Sequence, residues 1–445
     1  MKLFERERSF LLTESPPIFH SPLPFFSSQD EKFAVGQRVY NKQYAHLYFQ
    51  RLRHLSPVLI EQVKKAWPDV PLKKILEVEP GVECAVIGTI YKKMKLKPCV
   101  LDEYTKEKSL QPHLAGTKFV SSDDALAMED EGARMELQGD CLSTGDFVSG
   151  ICLAVRGVEE EGGHFQVKDV CVPGPAPQKE LKRGEEKFVA LVSGLNIGEE
   201  KQDPLSLQLF VDYITGALGN SDGMAHKITR TVVVGNVIKD VAEVPIHDDK
   251  KEASKKINHL KEADMFLTQL ASSMPLDIMP GPNDPCNVSM PQQPFHRCLL
   301  PGTTGHPNVE RVTNPHQFTL DGVTFMGTSG QNVDDIMKFV VHDDRLGAMA
   351  ATLEWCHSTP TAPDTLPCFP FSDKDPFIVG ECPHVYFVGN QPKLETGTIE
   401  GRDGQQVKVI ALPAFSETHT CTLVNLQDLS CHPITFSVDS LEVLE

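Results

Sequence analysis

The sequence predicts a multidomain α+β protein with amino-terminal helices, a small closed β-barrel and a layered α/β unit of sandwich type. Three patterns carry this. Apolar residues recur every three or four positions from Tyr40 to Trp67, short strands parted by turn residues fill 83–172, and buried strands alternate with helices from Lys187 onward. At 445 residues, 40% hydrophobic and 23% charged, the chain has the bulk and balance of two or three soluble cores.

Residues 1–34 read as a poorly ordered leader, with Ser15-Pro16-Pro17, Ser21-Pro22-Leu23-Pro24 and a Phe25-Phe26 pair suited to docking. Residues 35–72 form a helical segment, in which Ser56-Pro57 predicts a second helix opening with serine as cap and proline at the first position. The barrel spans 73–175, with strands expected at Glu83–Tyr91, Lys118–Val120, Ala133–Leu137, Phe147–Val155 and Gly163–Val172, interrupted by an insertion at Tyr104–Ala115. The Pro-rich run Cys171–Pro177 then reads as a linker.

The α/β unit spans 180–437. Strands Lys187–Val192, Thr231–Gly235 and Leu276–Met279 alternate with helices Leu205–Gly216 and Ala253–Met274, the latter placing Ile257, Leu260, Leu267, Leu270 and Met274 on one face. Later strands, Thr319–Gly327, Val385–Gly389, Val407–Pro413 and Cys421–Leu426, have few helices between them and predict a second, antiparallel sheet. A short tail, 438–445, closes the chain.

A net charge of −18 repels the phosphate backbone and argues against general nucleic-acid binding. Its distribution is uneven. Arg38–Lys118 holds 15 Lys+Arg against 8 Asp+Glu, a local +7 that leaves −25 elsewhere and suits either an acidic partner or grazing DNA. Lys92–Lys97 alternates lysine with apolar residues and reads as a half-buried strand edge. No apolar run approaches the ~20 residues that span a bilayer, so no membrane contact is expected, and the first residues carry both charge signs, unlike a secretory signal. The 12 cysteines include no C-x-x-C pair, which predicts reduced thiols buried as small apolar groups and no cofactor held by them.

Strand ends in an α/β unit converge on one rim, where chemistry is sought. Four ends share a pattern: Val192-Ser193-Gly194-Leu195-Asn196, Val234-Gly235-Asn236, Met279-Pro280-Gly281-Pro282-Asn283-Asp284 and Gly389-Asn390-Gln391-Pro392. In order and spacing they resemble the metal-binding motifs of calcineurin-like phosphoesterases, Asp-x-His, Gly-Asp, Gly-Asn-His-Asp and Gly-His-x-His. The ligands are nearly all replaced. By that resemblance Ser193 and Leu195 stand for the first aspartate and histidine, Asn236 for the bridging aspartate, Pro282 and Asn283 for the ligand asparagine and acid histidine, and Asn390 and Pro392 for the last two histidines. Only Asp284, an orienting carboxylate, and His357, at the remaining histidine position, are kept.

Two divalent ions about 3.7 Å apart repel by roughly 18 kcal/mol at an effective dielectric of about 20, so such a site needs anionic ligands. Asn236 brings no charge, and Leu195 and Pro392 bring no donor atom. The expected outcome is an enzyme frame without catalytic residues, bound metal or cofactor. His342-Asp343-Asp344 and His247-Asp248-Asp249 read as solvated loops, Gly302-Thr303-Thr304-Gly305 lacks the lysine of a P-loop, and Gly330 reads as leading into a helix over Val333–Val340.

The whole resembles the B subunits of replicative DNA polymerases. The likeness rests on Gln43-Tyr44-Ala45-His46, PQQP at 291–294, GTSGQNV at 327–333, HSTPTAPDTL at 357–366 and ECPHVYFVGN at 381–390, and extends over about 35–437. It implies an OB-fold barrel joined to an inactive calcineurin-like phosphoesterase sandwich, in a nuclear, non-catalytic scaffold. Implied partners are the Cys-rich carboxyl-terminal domain of the catalytic polymerase chain and a third, clamp-linking subunit. A small fourth subunit, an indirect link to the sliding clamp and weak or indirect DNA contact complete the set. Two other readings stay open. One is an active metallophosphodiesterase centred on His357; the other is a single-strand DNA binder stacking bases on Tyr91, Tyr104 and Phe119.

Overall fold

A computed structural model describes residues 24–97, 118–160, 162–182, 184–200, 202–218, 223–239 and 249–437, with the backbone alone for 249–256. The first 23 residues of the expected leader, the Tyr104–Ala115 insertion, His247-Asp248 and the tail 438–445 lie outside them.

One helix, Ala45–Ala66, replaces the two expected, and Pro57 sits inside it. Leu47, Leu52, Leu55, Leu59 and Val63 are buried on both sides of the proline, and their packing outweighs the one backbone hydrogen bond it removes. Ser56 turns its hydroxyl back onto the Leu52 carbonyl at 2.6 Å instead of capping.

The helix lies on a six-stranded sheet of which five strands close into a barrel. Strands run in the order Leu72–Lys73, Cys84–Lys93, Ala125–Glu129, Arg134–Gln138, His164–Cys171 and Cys152–Glu159, and pairing of Cys84–Lys93 with Cys152–Glu159 closes it. Residues 118–120 form no strand; Phe119 stacks on Phe339 of the neighbouring unit instead, with ring centroids 5.8 Å apart. Lys92, expected at a half-buried strand edge, is fully buried, donating to the Phe339 carbonyl at 2.7 Å with Asp124 at 3.7 Å.

The remaining chain forms two six-stranded sheets. In the first, Val309–Arg311, Leu276–Met279, Ile228–Val234 and Phe188–Val192 are parallel, and Thr420–Asn425 and Cys431–Thr435 follow antiparallel. In the second, the order is Phe26–Ser28, His316–Leu320, Val323–Thr328, Val385–Gln391, Gln406–Pro413 and Glu395–Glu400. Three expectations are corrected. The second sheet is mixed, since Val323–Thr328, Val385–Gln391 and Gln406–Pro413 run parallel; the strand at Cys421 belongs to the first sheet; and Thr319–Gly327 divides into a hairpin turning at Asp321-Gly322, φ 48° and 86°. Phe26–Ser28, inside the expected leader, pairs with Phe318–Leu320.

Leu191, Val232, Val234, Phe325, Phe387 and Ile410 fill the space between the sheets. Helices Pro204–Ile214 and Asp249–Ser273 cover the first sheet, where Leu267, Leu270 and Met274 are buried but Ile257 remains half exposed. Helices Gln331–Phe339 and Arg345–Glu354 cover the second, in a core continuous with that of the barrel.

Candidate functional site

Strands of the first sheet end together at one rim, and two of them leave it through left-handed backbone. Gly194 and Asn196 follow the first (φ 62° and 44°), Gly235 and Asn236 the second (72° and 53°), and Asn390 follows from the second sheet (55°). Glycine enters this region freely and asparagine tolerates it better than most residues. Gly235 is also sterically required, because a β-carbon there would overlap Ser329 Cβ.

Neutral amides and hydroxyls knit the rim together. Asn236 Oδ1 accepts from the Asn283 backbone N–H at 3.1 Å, and Asn390 Nδ2 donates to the carbonyls of Ser329 at 2.8 Å and Val234 at 3.3 Å. Ser193 Oγ accepts from the Asn390 N–H at 3.1 Å and donates to the Pro413 carbonyl at 2.9 Å. Alongside, Asn314 Nδ2 donates to Ser329 Oγ at 2.6 Å and Gln292 Oε1 at 2.9 Å, while Gln292 Nε2 donates to the Gly281 carbonyl at 3.0 Å. Sequence reasoning missed Ser329, Asn314 and Gln292, although PQQP and GTSGQNV contain two of them.

Asp284 is the one carboxylate in this lattice among the described residues. It accepts from the backbone N–H of Gly281 at 2.8 Å and of Ile238 at 3.1 Å. Burial pushes its pKa up to about 7 against the pull of these donors. A carboxylate so engaged orients two loops and offers little to an ion.

Other predicted positions fall apart from this network. Leu195 is buried in the core beneath the first sheet, and Pro282 and Pro392 are exposed. His357 belongs to a separate buried cluster: its Nε2 lies 2.9 Å from Asp375 Oδ2, which also receives Arg51. The strand end that reaches the rim at its expected place is Thr328-Ser329. Asn390 Oδ1 has no protein partner among the described residues, but one neutral oxygen is no ligand set for a divalent ion. Among the described residues no group of three or more His, Cys, Asp or Glu side chains could hold a metal.

Further motifs resolve locally. Asp264 fills the Gly302–Gly305 turn, accepting from the N–H of Gly302 at 2.7 Å and Thr303 at 3.1 Å, where a phosphate would have to sit. Asp344 caps helix Arg345–Glu354 and Asp343 pairs with Lys118 at 2.7 Å. No described helix is long and apolar enough to cross a membrane.

Comparison with known proteins follows the same division of the chain. Residues 43–170 match the family model of the DNA polymerase delta subunit OB-fold domain, and residues 189–396 that of the DNA polymerase alpha/epsilon B subunit. The DNA polymerase delta small subunit of Oryza sativa is 43% identical over 425 residues, covering 93% of this chain and 97% of the relative. DNA polymerase delta subunit 2 of Drosophila melanogaster is 36% identical, covering 92% and 96%, and the small subunit of Saccharomyces cerevisiae 33%, covering 90% and 91%. A DNA polymerase II small subunit of Archaeoglobus fulgidus matches more distantly, at 22% over 58% of this chain. A barrel and a two-sheet unit in this order, matched nearly end to end, place the chain in the DNA polymerase delta small-subunit family, the B subunits of replicative DNA polymerases.

Proposed function

We propose that the chain is a non-catalytic accessory subunit of DNA polymerase delta, serving DNA replication and repair synthesis in the nucleus. In this reading the barrel is an OB fold and the two-sheet unit a calcineurin-like phosphoesterase sandwich that has lost its ligands. The amide lattice of the rim carries the reading: Ser193 bonds the Asn390 backbone, Asn236 and Asn390 bond nearby backbone, and none of the three brings a negative charge to overcome the repulsion between two metals.

The partners that fit are the Cys-rich carboxyl-terminal domain of the polymerase delta catalytic subunit and the third, clamp-linking subunit, with a small fourth subunit as a further candidate and the sliding clamp reached indirectly. A core shared by barrel and second sheet gives them one rigid body to assemble on. Direct DNA contact is weak or indirect. Tyr91 lies under the Arg134 guanidinium at 4.4 Å and Phe119 is stacked on Phe339, so neither is a free platform for bases, while Tyr104 lies outside the described residues.

Co-expression with the polymerase delta catalytic chain tests this. A stoichiometric complex that survives size-exclusion chromatography is expected. Failure to form it, together with manganese-dependent phosphodiester hydrolysis by the isolated chain, would overturn the proposal.

A further inference from the structure

Strand Glu395–Glu400 ends the second sheet and is paired on one side only, with Gln406–Pro413. Two backbone bonds fix which of its groups face that partner. The Gly401 N–H donates to the Gln405 carbonyl at 2.8 Å, so in this antiparallel register the residues bonded across the pair are Glu395, Gly397 and Ile399. The Lys408 N–H, opposite Thr398, turns the other way and donates to the His384 carbonyl at 2.8 Å. The N–H and C=O groups of Thr396, Thr398 and Glu400 therefore point out of the sheet, about 6.8 Å apart at 3.4 Å per residue. None of them has a partner among the described residues.

Such an edge pairs with other chains unless it is blunted. The other described edges are: Pro433 interrupts Cys431–Thr435, and Val309–Arg311, Phe26–Ser28 and Leu72–Lys73 are three, three and two residues long. Glu395–Glu400 has six residues, no proline and an unbroken register. There is room for side chains on both of its faces. On one, Ile399 and Leu346 pack against the core, and Gly397 leaves Leu346 uncovered by any side chain of its own. On the other, Thr398 and Lys408 open on a cavity of about 640 Å³ that Leu181, Gln406 and Ser430 also line. Glu400, on the face of Thr398, is exposed and has no ion-pair partner among the described residues, whereas Glu395 is held by Lys393 at 2.8 Å.

We infer that this edge receives an extended segment of a partner chain, which continues the second sheet by one strand. The backbone selects the occupant, because outward N–H and C=O groups at two-residue spacing are met by an extended chain and not by a helix, whose own backbone groups are already bonded. Apolar side chains opposite Gly397 and Ile399 would lie beside Leu346, a polar one opposite Thr398 would enter the cavity, and a lysine or arginine opposite Glu400 would meet its carboxylate. A second copy of this chain fits less well, since each copy brings a net charge of −18 and the same unpaired Glu400. The origin of the segment rests on the reading of the chain as an assembly subunit.

Amide hydrogen exchange, read residue by residue, tests this on the isolated full chain and on its assembly with the polymerase delta catalytic chain and third subunit. In the isolated chain the N–H groups of Thr396, Thr398 and Glu400 should exchange freely while those of Gly397 and Ile399 are protected, and in the assembly the first three should slow by at least about tenfold. Thr398→Pro removes one outward donor and no bond within the sheet, so it should weaken the assembly by about tenfold or more, whereas Thr398→Val, which keeps the backbone donor, should not. Circular dichroism checks that both variants fold; if the proline variant does not, the exchange pattern of the parent chain decides. An assembly in which these three amides exchange as they do in the isolated chain would overturn the inference and leave the accessory-subunit proposal standing. Equal losses from proline and valine would mean side-chain contact without strand pairing and would contradict it too. Slowing that appears in the isolated chain and grows with its concentration would give the edge to a second copy instead. If no assembly forms, the accessory-subunit proposal falls and the inference falls with it.

Discussion

Arg51 Nε meets Asp375 Oδ2 at 2.8 Å with both side chains fully buried. The same guanidinium donates to the carbonyls of Gly150 at 2.8 Å, Pro360 at 2.8 Å and Ala362 at 2.6 Å, so one side chain ties the amino-terminal helix to the barrel and to a loop of the two-sheet unit. Burial alone would raise the pKa of Asp375; His357 and Arg51 outweigh it and hold the carboxyl well below the usual range. His357 itself is pushed down to about 4 by burial and by the guanidinium, so at neutral pH it is an uncharged partner.

Arg51→Ala strands a buried carboxylate and three carbonyls, and should lower stability by about 3–5 kcal/mol. Arg51→Lys should recover little, because one ammonium cannot span four acceptors in the plane of a guanidinium fork. Urea denaturation measures both. A loss below about 1 kcal/mol for the alanine variant would mean that the cluster contributes little to joining the units.

His316 fixes the first described strand to its sheet, its Nδ1 2.7 Å from Asp30 and its Nε2 3.5 Å from Asp277. Burial would lower its pKa, yet Asp30 and Asp277 raise it to about 9. A raised folded-state value means that the stabilisation is full below the ordinary histidine pKa of about 6.5 and is lost as pH rises through about 9. Thermal denaturation from pH 6 to 10 should therefore show an alkaline decline that His316→Gln flattens. An unchanged decline in the variant would assign it to other groups.

Pro57 interrupts the hydrogen-bond ladder of a helix whose buried residues continue past it. Pro57→Ala restores a backbone donor at an exposed position, and the gain, less the greater freedom of the unfolded chain, should be about 1–3 kcal/mol. Denaturant midpoints report it. A destabilised variant would show that the proline suits a bend that the packing requires.

Period and turn chemistry made much of the fold legible. The strands at Phe188–Val192, Ile228–Val234 and Leu276–Met279 follow from local pattern, as do most strands of the barrel, although Ala125–Glu129 is not among those expected. Pairing choices were not legible, because Thr420–Asn425 carries apolar residues on both faces, Cys421 and Leu423 on one and Val424 on the other, and would suit either sheet; its place beside Phe188–Val192 is a tertiary fact. Pro57 misled because a proline after serine carries the same signal whether a helix starts or a long one tolerates it. At the rim, Asn236, Asn283 and Asn390 were found as substitutions, whereas Asn314, Gln292 and Ser329 share no spacing in sequence and meet only across the fold. His357 was misplaced because a lone histidine gives no indication of which carboxylate it will meet.

Asn236→Asp introduces the residue type that, under the proposed function, would bridge two metals, yet Leu195 and Pro392 still supply no donor. Manganese titration by calorimetry should show no new site. The variant should lose about 1–3 kcal/mol, since a carboxylate is placed in a buried lattice of amides. Tight manganese binding by this single change would mean that the rim retains most of a ligand set.

The most direct measurement is the metal content of the purified, assembled protein by inductively coupled plasma mass spectrometry, alongside its hydrolysis of bis(p-nitrophenyl) phosphate with added manganese. The expected result is substoichiometric metal in this subunit and no turnover above buffer. Two tightly held ions per chain, with hydrolysis abolished by Asn236→Ala, would contradict the view that neutral amides have replaced catalysis at this rim.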